Sequence, residues 1–160
     1  MKALVIGGDS FIGKRLREML AARGDDVQWT SRREGEGIYF DMLQPISLPD
    51  CDVAYLCAAA TRFIDCESSA EAYRVNVDAP IAIARKLNAK LVYLSSEAVE
   101  RALHTNYGMH KALAENALLS MGRDVIARLG KTGPENVDMV CEQLIRLGDT
   151  GRPGVHRLCT

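Results

Sequence analysis

The sequence predicts an α/β fold in which a doubly wound, mostly parallel sheet is flanked by helices within a single domain spanning residues 1–160. Short apolar runs that end in glycine or polar residues alternate with stretches in which apolar residues recur at helical spacing. The 160 residues, 48% of them hydrophobic, suffice for one domain with a substantial core. No repeat or linker interrupts the alternation, so we expect right-handed crossovers between parallel strands.

The N-terminal half is predicted to hold four strands and one helix. Lys2–Ile6 is a strand because it is a short apolar run that leads into glycine. A helix follows over Ile12–Arg23, where apolar side chains recur every three or four positions up to a glycine. Val27–Thr30 is the second strand, Ile38–Phe40 a short third strand, and Val53–Leu56 a buried fourth strand.

The C-terminal half continues the alternation. Ser68–Leu87 is predicted to be largely helical, with Pro80 kinking or dividing it. Lys90–Leu94 is the next strand and ends in two serines. The remaining elements are predicted as a helix at Tyr107–Met121, a strand at Asp124–Leu129, a helix at Pro134–Leu147 and a short strand at Gly154–Cys159.

A glycine-rich segment, Gly7-Gly8-Asp9-Ser10-Phe11-Ile12-Gly13, joins the first strand to the first helix. A helix N-terminus offers unpaired N–H groups and a positive dipole end to a pyrophosphate. Gly7 permits the tight turn, and Gly13 permits close packing of the helix on the strand, as in a Rossmann-type site. Ser10 stands where a middle glycine is usual, and its hydroxyl either caps the helix or donates to a phosphate. We expect Gly7, Asp9, Ser10, Phe11, Ile12 and Gly13 to bind a dinucleotide; a turn that binds nothing is the alternative.

The second strand ends in Thr30-Ser31-Arg32-Arg33. A site for NAD usually carries an acidic residue here for the ribose 2′-hydroxyl. A hydroxyl and two guanidinium groups instead suit a 2′-phosphate by charge and by forked hydrogen bonding. The sequence therefore favours NADP over NAD as the cofactor, with Ser31, Arg32 and Arg33 as contacts, although NAD is possible. A solvated basic turn is the alternative, and Glu34 and Glu36 dilute its positive charge.

Two further segments complete the expected cofactor site. Asp41 follows the third strand and either accepts a hydrogen bond from an adenine amino group or serves as a turn residue. Ala58, Ala59 and Ala60 follow the fourth strand, and their small side chains let a ligand approach the backbone.

The segment Tyr107-Gly108-Met109-His110-Lys111 carries the expected chemistry. A tyrosine and a lysine four residues apart share one face of a helix. We expect Lys111 to lower the pKa of Tyr107, because a cation stabilises the phenolate, so that Tyr107 can protonate a carbonyl oxygen. Ser96 ends a parallel strand, where α/β sheets place ligands, although a capping role is the alternative. Ser95 points to the other face of the strand and is expected to be structural.

These segments resemble the extended short-chain dehydrogenases/reductases, the NAD-dependent epimerase/dehydratase group, and within it the dTDP-4-dehydrorhamnose reductase branch. The resemblance is carried by Gly7–Gly13, by Ala58–Ala60 with Ile64–Glu67 and Val75–Val77, by Tyr93–Ser96, and by Tyr107–Lys111. It implies that Ser96 orients a carbonyl, that Tyr107 is the acid/base and that Lys111 binds the nicotinamide ribose. It also implies hydride transfer between the nicotinamide and a ketone or secondary alcohol.

The sequence departs from that family in two places. Members commonly carry a C-terminal substrate lobe, whereas here Pro134–Leu147 leads almost directly to Gly154–His156, which resembles the family's final strand. Ser96 and Tyr107 are only eleven residues apart, and the usual intervening loop is longer. We therefore expect a shortened substrate lobe. The substrate is then smaller, or the pocket is completed by another subunit, or there is no substrate.

The resemblance predicts an NADP-dependent oxidoreductase acting on a small molecule that is like a sugar nucleotide or smaller. A non-catalytic NADP(H) sensor or regulatory subunit and a sugar-nucleotide epimerase or dehydratase are the alternatives. It also implies a homodimer, since helices flanking Asn76 and Tyr107 pair subunits in the family.

Composition bounds the partners and the location. The net charge of −1 and the lack of a long apolar run give no reason to expect nucleic acid or membrane binding. Five cysteines without a C-x-x-C pair, and an N-terminus that begins directly with a strand, predict a cytoplasmic protein with reduced thiols. Three histidines without metal-site spacing predict no metal, and His110 is expected to have a packing or surface role.

Overall fold

A computed structural model of the protein describes residues 1–58 and 63–160. The strands are β1 (Lys2–Ile6), β2 (Asp26–Ser31), β3 (Ile38–Tyr39), β4 (Val53–Leu56), β5 (Lys90–Ser96), β6 (Val125–Leu129) and β7 (Gly154–Arg157). The helices are α1 (Phe11–Arg23), α2 (Phe63–Ser68), α3 (Ala70–Tyr73), a π-helix (Arg74–Asp78), α4 (Ala79–Lys86), α5 (Ala98–Arg101), α6 (Asn106–Ser120) and α7 (Val137–Thr150).

The seven strands form one sheet in the order β3-β2-β1-β4-β5-β6-β7, and neighbouring strands run parallel. The chain moves outward in one direction from β1 to β3, then crosses back and moves in the other direction from β4 to β7. The carboxyl ends of β1 and β4 are therefore the topological switch point, where open α/β sheets bind ligands. This confirms the predicted Rossmann-type, doubly wound α/β fold in one domain.

Helices cover both faces of the sheet. Leu16 of α1 and Leu144 of α7 pack with the β-strand side chains on one face, and Ile83 of α4 and Leu118 of α6 pack on the other. Because both faces are covered, the central strands are apolar throughout rather than alternating, and all four residues of β4 are buried. The two layers hold the carboxyl edge of the sheet rigidly, which positions the candidate site.

The helical region after β4 is predicted to be kinked or divided by Pro80, and the structure shows it divided ahead of Pro80. It is divided into α2, α3, the π-helix and α4. Pro80 lies in the first turn of α4 and has no N–H to donate to the carbonyl of Asn76, four residues earlier. The helix widens at Arg74–Asp78, immediately before this missing hydrogen bond.

The start of the last helix also differs from the prediction. α7 begins at Val137 instead of Pro134. The Asn136 side chain accepts from the N–H of Gly133 and donates to the carbonyl of Lys131, at 2.8 and 2.9 Å. These bonds close a turn that contains Pro134 and delay the helix by three residues.

Candidate functional site

The glycine-rich turn leaves no room for side chains at two positions. Gly7 has φ +80°, and a Cβ there would lie 2.8 Å from the Cβ of Ala58, at the end of the neighbouring strand β4. A Cβ on Gly13 would lie 2.2 Å from the carbonyl oxygen of Gly7. The absence of both side chains brings α1 close to the ends of β1 and β4, as a phosphate-binding turn requires.

Ser10 acts as the N-cap of α1. Its Oγ accepts from the N–H of Gly13 at 3.1 Å. Of the two roles considered for Ser10, the structure shows the capping role. Phe11 and Ile12 supply the first N–H groups of the helix, which have no acceptor within it. These groups remain available to an anion.

The end of β2 is tied to the glycine turn. Thr30 accepts from Gly7 N–H through its Oγ1 at 3.1 Å and from Gly8 N–H through its carbonyl at 3.0 Å. The buried hydroxyl of Ser31 accepts from the N–H of Arg33 at 2.9 Å. These three hydrogen bonds hold the glycine turn and the start of the basic segment against the end of β2.

A cleft of about 750 Å³ lies between these segments, within the usual range for small-molecule sites. It brings together eight of the predicted cofactor residues, Gly7, Asp9, Ser10, Ser31, Arg32, Arg33, Asp41 and Ala58. Asp41 also accepts from the N–H of Leu43 at 2.9 Å, so it forms a turn as well as lining the cleft. Ala59 and Ala60 lie outside the described residues.

Ser96 and Tyr107 meet at the carboxyl end of β5. Ser96 is the last residue of β5, and Tyr107 lies in the first turn of α6, which is capped by Thr105. The Ser96 hydroxyl is near enough to Tyr107 to lower the pKa of its phenol. The Ser96 Oγ accepts from the N–H of Ala98 at 3.1 Å, so Ser96 begins the following turn as well. The structure thus brings the two predicted hydroxyls together at this end of the strand.

Lys111 is buried beneath Tyr107, with 3% of its surface exposed. Its Nζ donates to the carbonyl of Leu94 at 2.8 Å and lies 4.7 Å from the ring centroid of Tyr93. Burial lowers the pKa of Lys111 to about 8, and the carboxylate of Glu115 opposes this shift. Burial therefore makes the ammonium form of Lys111 less favourable than that of a solvated lysine.

The pKa of Tyr107 moves opposite to the expected direction. Burial raises it, and the hydrogen bond with Ser96 only partly opposes the rise. The Nζ of Lys111 lies 6.0 Å from the centroid of the Tyr107 ring and donates to a backbone carbonyl instead. The predicted lowering of this pKa by Lys111 is therefore wrong, because desolvation of the phenol dominates the shift.

Residues of α2 that were not predicted as part of the site hold the start of α6. Glu67 accepts from the N–H of Asn106 through Oε1 at 2.7 Å, and Asn106 donates from Nδ2 to the carbonyl of Cys66 at 3.2 Å. A carboxylate at a helix N-terminus is favourable. Glu67 belongs to the segment that resembles the reductase branch, which is the signal that could have identified it. These contacts fix the first turn of α6, where Tyr107 lies.

A second unpredicted contact connects α6 to the π-helix. Asn76 and His110 are both buried, and Asn76 Nδ2 lies 3.4 Å from His110 Nδ1. The ring of Tyr73 stacks edge-on against His110 with centroids 5.4 Å apart. Burial lowers the pKa of His110, which favours the neutral imidazole. Of the packing and surface roles expected for His110, the structure shows the packing role.

Polar side chains also support the site from the other side of β5. Ser95 is buried and donates to Glu115 of α6, and Arg128 of β6 binds Glu115 through Nε and Nη2. Glu115 is one helical turn beyond Lys111 and is the main partner that favours its charged form. Within the described residues no group of three His, Cys, Asp or Glu side chains is placed to hold a metal.

A parallel sheet with a glycine turn at its switch point and a Ser/Tyr/Lys group on the next strand and helix is the architecture of the extended short-chain dehydrogenases/reductases. Within that class the chain belongs to the family described as RmlD substrate binding domain, whose family model matches residues 1–131. This confirms the predicted resemblance to the dTDP-4-dehydrorhamnose reductase branch.

One curated relative matches part of the chain. The human protein "Epimerase family protein SDR39U1" is 47% identical over 55 residues, which are 34% of this chain and 19% of that protein. The match thus spans about a fifth of the length of the relative.

Solved structures match almost the whole chain at low identity. The dTDP-4-dehydrorhamnose reductase of Bacillus anthracis, in complex with NADP, is 17% identical with a TM-score of 0.79 over 99% of this chain and 74% of that chain. MoeE5, in complex with UDP-glucose and NAD, is 19% identical with a TM-score of 0.81 over 100% and 76%. These likenesses establish the fold. No helix among the described residues is long and apolar enough to cross a bilayer.

Proposed function

We propose that the protein is an NADP-dependent oxidoreductase that reduces a carbonyl, or oxidises a secondary alcohol, with Tyr107 as acid/base. The observation that carries the proposal is that Ser96 and Tyr107 lie together near buried Lys111, at the sheet edge that also bears the glycine turn. A hydroxyl pair of this kind can hold a carbonyl oxygen and protonate it.

A nicotinamide dinucleotide fits the residues that are present. Because Gly7 and Gly13 carry no side chains, the first N–H groups of α1 lie close to the ends of β1 and β4, where they suit a pyrophosphate, and Arg32 and Arg33 suit a 2′-phosphate. When bound, the nicotinamide would accept or supply the hydride. NADP is proposed over NAD because the basic pair follows β2, where an acidic residue would favour NAD.

The chain's own residues handle the proton. Ser96 hydrogen-bonds the substrate oxygen and holds it beside Tyr107, whose hydroxyl supplies the proton in reduction and receives it in oxidation. We expect the Lys111 ammonium to favour the phenolate once the proton has left, because the buried Nζ lies 6.0 Å from the centroid of the Tyr107 ring. Since burial raises the pKa of Tyr107, the phenol keeps its proton until a substrate oxygen accepts it.

We propose a substrate that resembles a sugar nucleotide or is smaller. The fold neighbours include a dTDP-4-dehydrorhamnose reductase and a protein bound to UDP-glucose. Between β6 and α7 the chain has only residues 130–136, so no substrate lobe is inserted at that point. Residues 1–160 then form a dinucleotide-binding domain with a minimal substrate lobe.

We also propose a cytoplasmic homodimer. Met109 and Leu113, one turn apart on α6, are 46% and 41% exposed, and Tyr73 at the end of α3 is 42% exposed. A second copy that covers these apolar side chains would bury surface that otherwise faces water. A sedimentation mass equal to one chain at micromolar concentration would contradict the dimer.

Two other functions remain candidates for the same site. A non-catalytic NADP(H) sensor is favoured by the cleft itself, because Ser96 and Tyr107 are not among its described lining residues. A sugar-nucleotide epimerase or dehydratase is favoured by the partial match to an epimerase family protein. A sensor would reduce no ketone, and an epimerase would show no net consumption of the cofactor.

The test combines cofactor titration with turnover. We expect NADPH to bind more tightly than NADH in calorimetric titrations, and NADPH to be oxidised in the presence of a suitable ketone. Tyr107→Phe should lower kcat by about 100-fold or more and leave the dissociation constant of NADPH nearly unchanged, because only the proton donor is lost. Tyr73→Phe, an exposed tyrosine outside the cleft, is the matched control. Unchanged turnover in Tyr107→Phe would remove the assigned role.

A further inference from the structure

Two charges of opposite sign face each other at the end of the cleft formed by β2. The Oδ2 of Asp9, in the glycine turn, lies 3.9 Å from the Nε of Arg33, and both residues line the cleft. We infer that Asp9 sets the choice between NADP and NAD, by opposing the 2′-phosphate that Arg33 attracts. The inference rests on the proposed function and names a residue that determines its cofactor specificity.

The backbone fixes the relation between these two charges. Thr30 binds the N–H groups of both Gly7 and Gly8, which ties the residue before Asp9 to the end of β2. Ser31 then binds the N–H of Arg33 and sets the direction of the chain after the strand. The Asp9 side chain is 23% exposed and that of Arg33 is 66% exposed, so the carboxylate is the more confined partner. A ligand entering this end of the cleft meets both.

The two cofactors differ at one group, the 2′-position of the adenosine ribose. A phosphate there is attracted by a guanidinium and repelled by a carboxylate. A hydroxyl there can donate to a carboxylate and gains little from a guanidinium. NAD sites commonly place the acidic residue just after β2. Here that place is occupied by Ser31, Arg32 and Arg33, and the glycine turn supplies an acidic residue from the opposite side.

The remaining charges of the cleft make the 2′-phosphate sensitive to Asp9. Of the described residues that line the cleft, Arg32 and Arg33 are the only basic ones, whereas four are acidic: Asp9, Asp41, Asp65 and Glu71. An additional phosphate therefore has few cations to balance it. Removing the acidic residue that contacts Arg33 also releases Arg33 to bind the phosphate in full.

Asp9 is dispensable for the local fold. Within the described residues its carboxylate has Arg33 as its one ion-pair partner and makes no hydrogen bond that supports the turn or caps α1, a role that Ser10 fills. Asp9→Asn keeps the size of the side chain and removes only its charge. Glu34→Gln also removes one negative charge, at an exposed residue that follows Arg33 and does not line the cleft, and serves as the matched control.

The experiment measures the dissociation constants of NADPH and NADH by calorimetry for the wild type, Asp9→Asn, Arg33→Gln and Glu34→Gln. Asp9→Asn should tighten NADPH about fivefold without tightening NADH, as expected for one partly exposed charge. Arg33→Gln should weaken NADPH by about the same factor or more and leave NADH nearly unchanged. Glu34→Gln should change neither. The gain in Asp9→Asn should shrink at high salt, because the charges are screened.

Two results would overturn the inference while the proposed function stands. One is a ratio of the two dissociation constants that is the same in Asp9→Asn and the wild type. The other is equal tightening of NADPH and NADH, which would mean that Asp9 repels the common pyrophosphate and does not discriminate. A wild-type protein that binds neither dinucleotide would remove the proposed function and this inference with it. If Asp9→Asn is poorly folded, Asp9→Ser provides a second neutral variant for the same comparison.

Discussion

The two ends of the site use the same sheet edge in different ways. Around the glycine turn, binding groups come from the backbone, and the charged side chains of Arg32 and Arg33 are exposed. Around Tyr107, the candidate catalytic groups are side chains, and Lys111 is almost completely buried. The glycine turn offers N–H groups and solvated charges to an anion. Around Tyr107, burial excludes water and shifts the pKa values of Tyr107 and Lys111. At the glycine turn, substitutions should therefore change stability through steric overlap and backbone strain. Near Tyr107, they should change it through the protonation of buried groups.

The largest effect is expected at the glycine turn. Gly7 and Gly35 have nearly the same backbone conformation, with φ +80° and +79°, but a Cβ on Gly7 would collide with Ala58, while a Cβ on Gly35 meets nothing within 4 Å. Gly35→Ala should lower the free energy of unfolding by about 1 kcal/mol, from the left-handed backbone alone. Gly7→Ala should lower it by about 3 kcal/mol, because overpacking adds to the same strain. Urea denaturation measures both, and equal losses would show that the turn adjusts freely.

A smaller effect, specific to the buried end, is expected from the charge of Lys111. Burial lowers its pKa from 10.5 to about 8, so between these pH values the unfolded chain binds more protons than the folded chain. The stability contributed at this position therefore rises with pH. Lys111→Met keeps the apolar stem and cannot titrate. It should be more stable than the wild type at pH 7, and this advantage should shrink by roughly 2 kcal/mol by pH 10.

The difference in unfolding free energy between the wild type and Lys111→Met separates the effect of Lys111 from that of other buried titratable groups. Burial raises the pKa of Cys57 and Tyr93, which makes the protein less stable as pH rises, but these groups are present in both proteins and cancel. Denaturation curves at pH 7 and pH 10 give the comparison. A difference in unfolding free energy that is the same at both pH values would mean that Lys111 is not desolvated.

The smallest effect is expected at Glu67, which combines a hydrogen bond to the backbone with the charge of a side chain. Its carboxylate accepts from the backbone N–H of Asn106 and places a negative charge at the start of α6. Glu67→Gln keeps an acceptor and loses the charge, so the free energy of unfolding should fall by about 0.5 kcal/mol. Glu67→Ala loses both and should cost about 1 kcal/mol. If the two variants are equally stable, the hydrogen bond contributes nothing beyond the charge.

The fold and the outline of the site could be predicted because their signals are local in sequence. Apolar runs with helical stretches between them predict a mostly parallel sheet flanked by helices, and the glycine turn and the Tyr107/Lys111 spacing each lie within a few residues. The pKa of Tyr107 could not be predicted, because burial depends on packing of the whole chain around it. The contacts of Asp9 with Arg33 and of Asn76 with His110 join distant segments, which no spacing reveals.

The π-helix at Arg74–Asp78 has a consequence for how this chain can change in length. A π-turn contains one residue more than an α-turn, so it is equivalent to a single inserted residue. Deleting one residue there would restore a regular α-helix in phase with α4 and would remove the widened turn that carries Asn76. Asn76 would then turn away from His110. The length of this segment is therefore constrained by the Asn76–His110 contact. A homologue with a one-residue gap at this point should lack that contact.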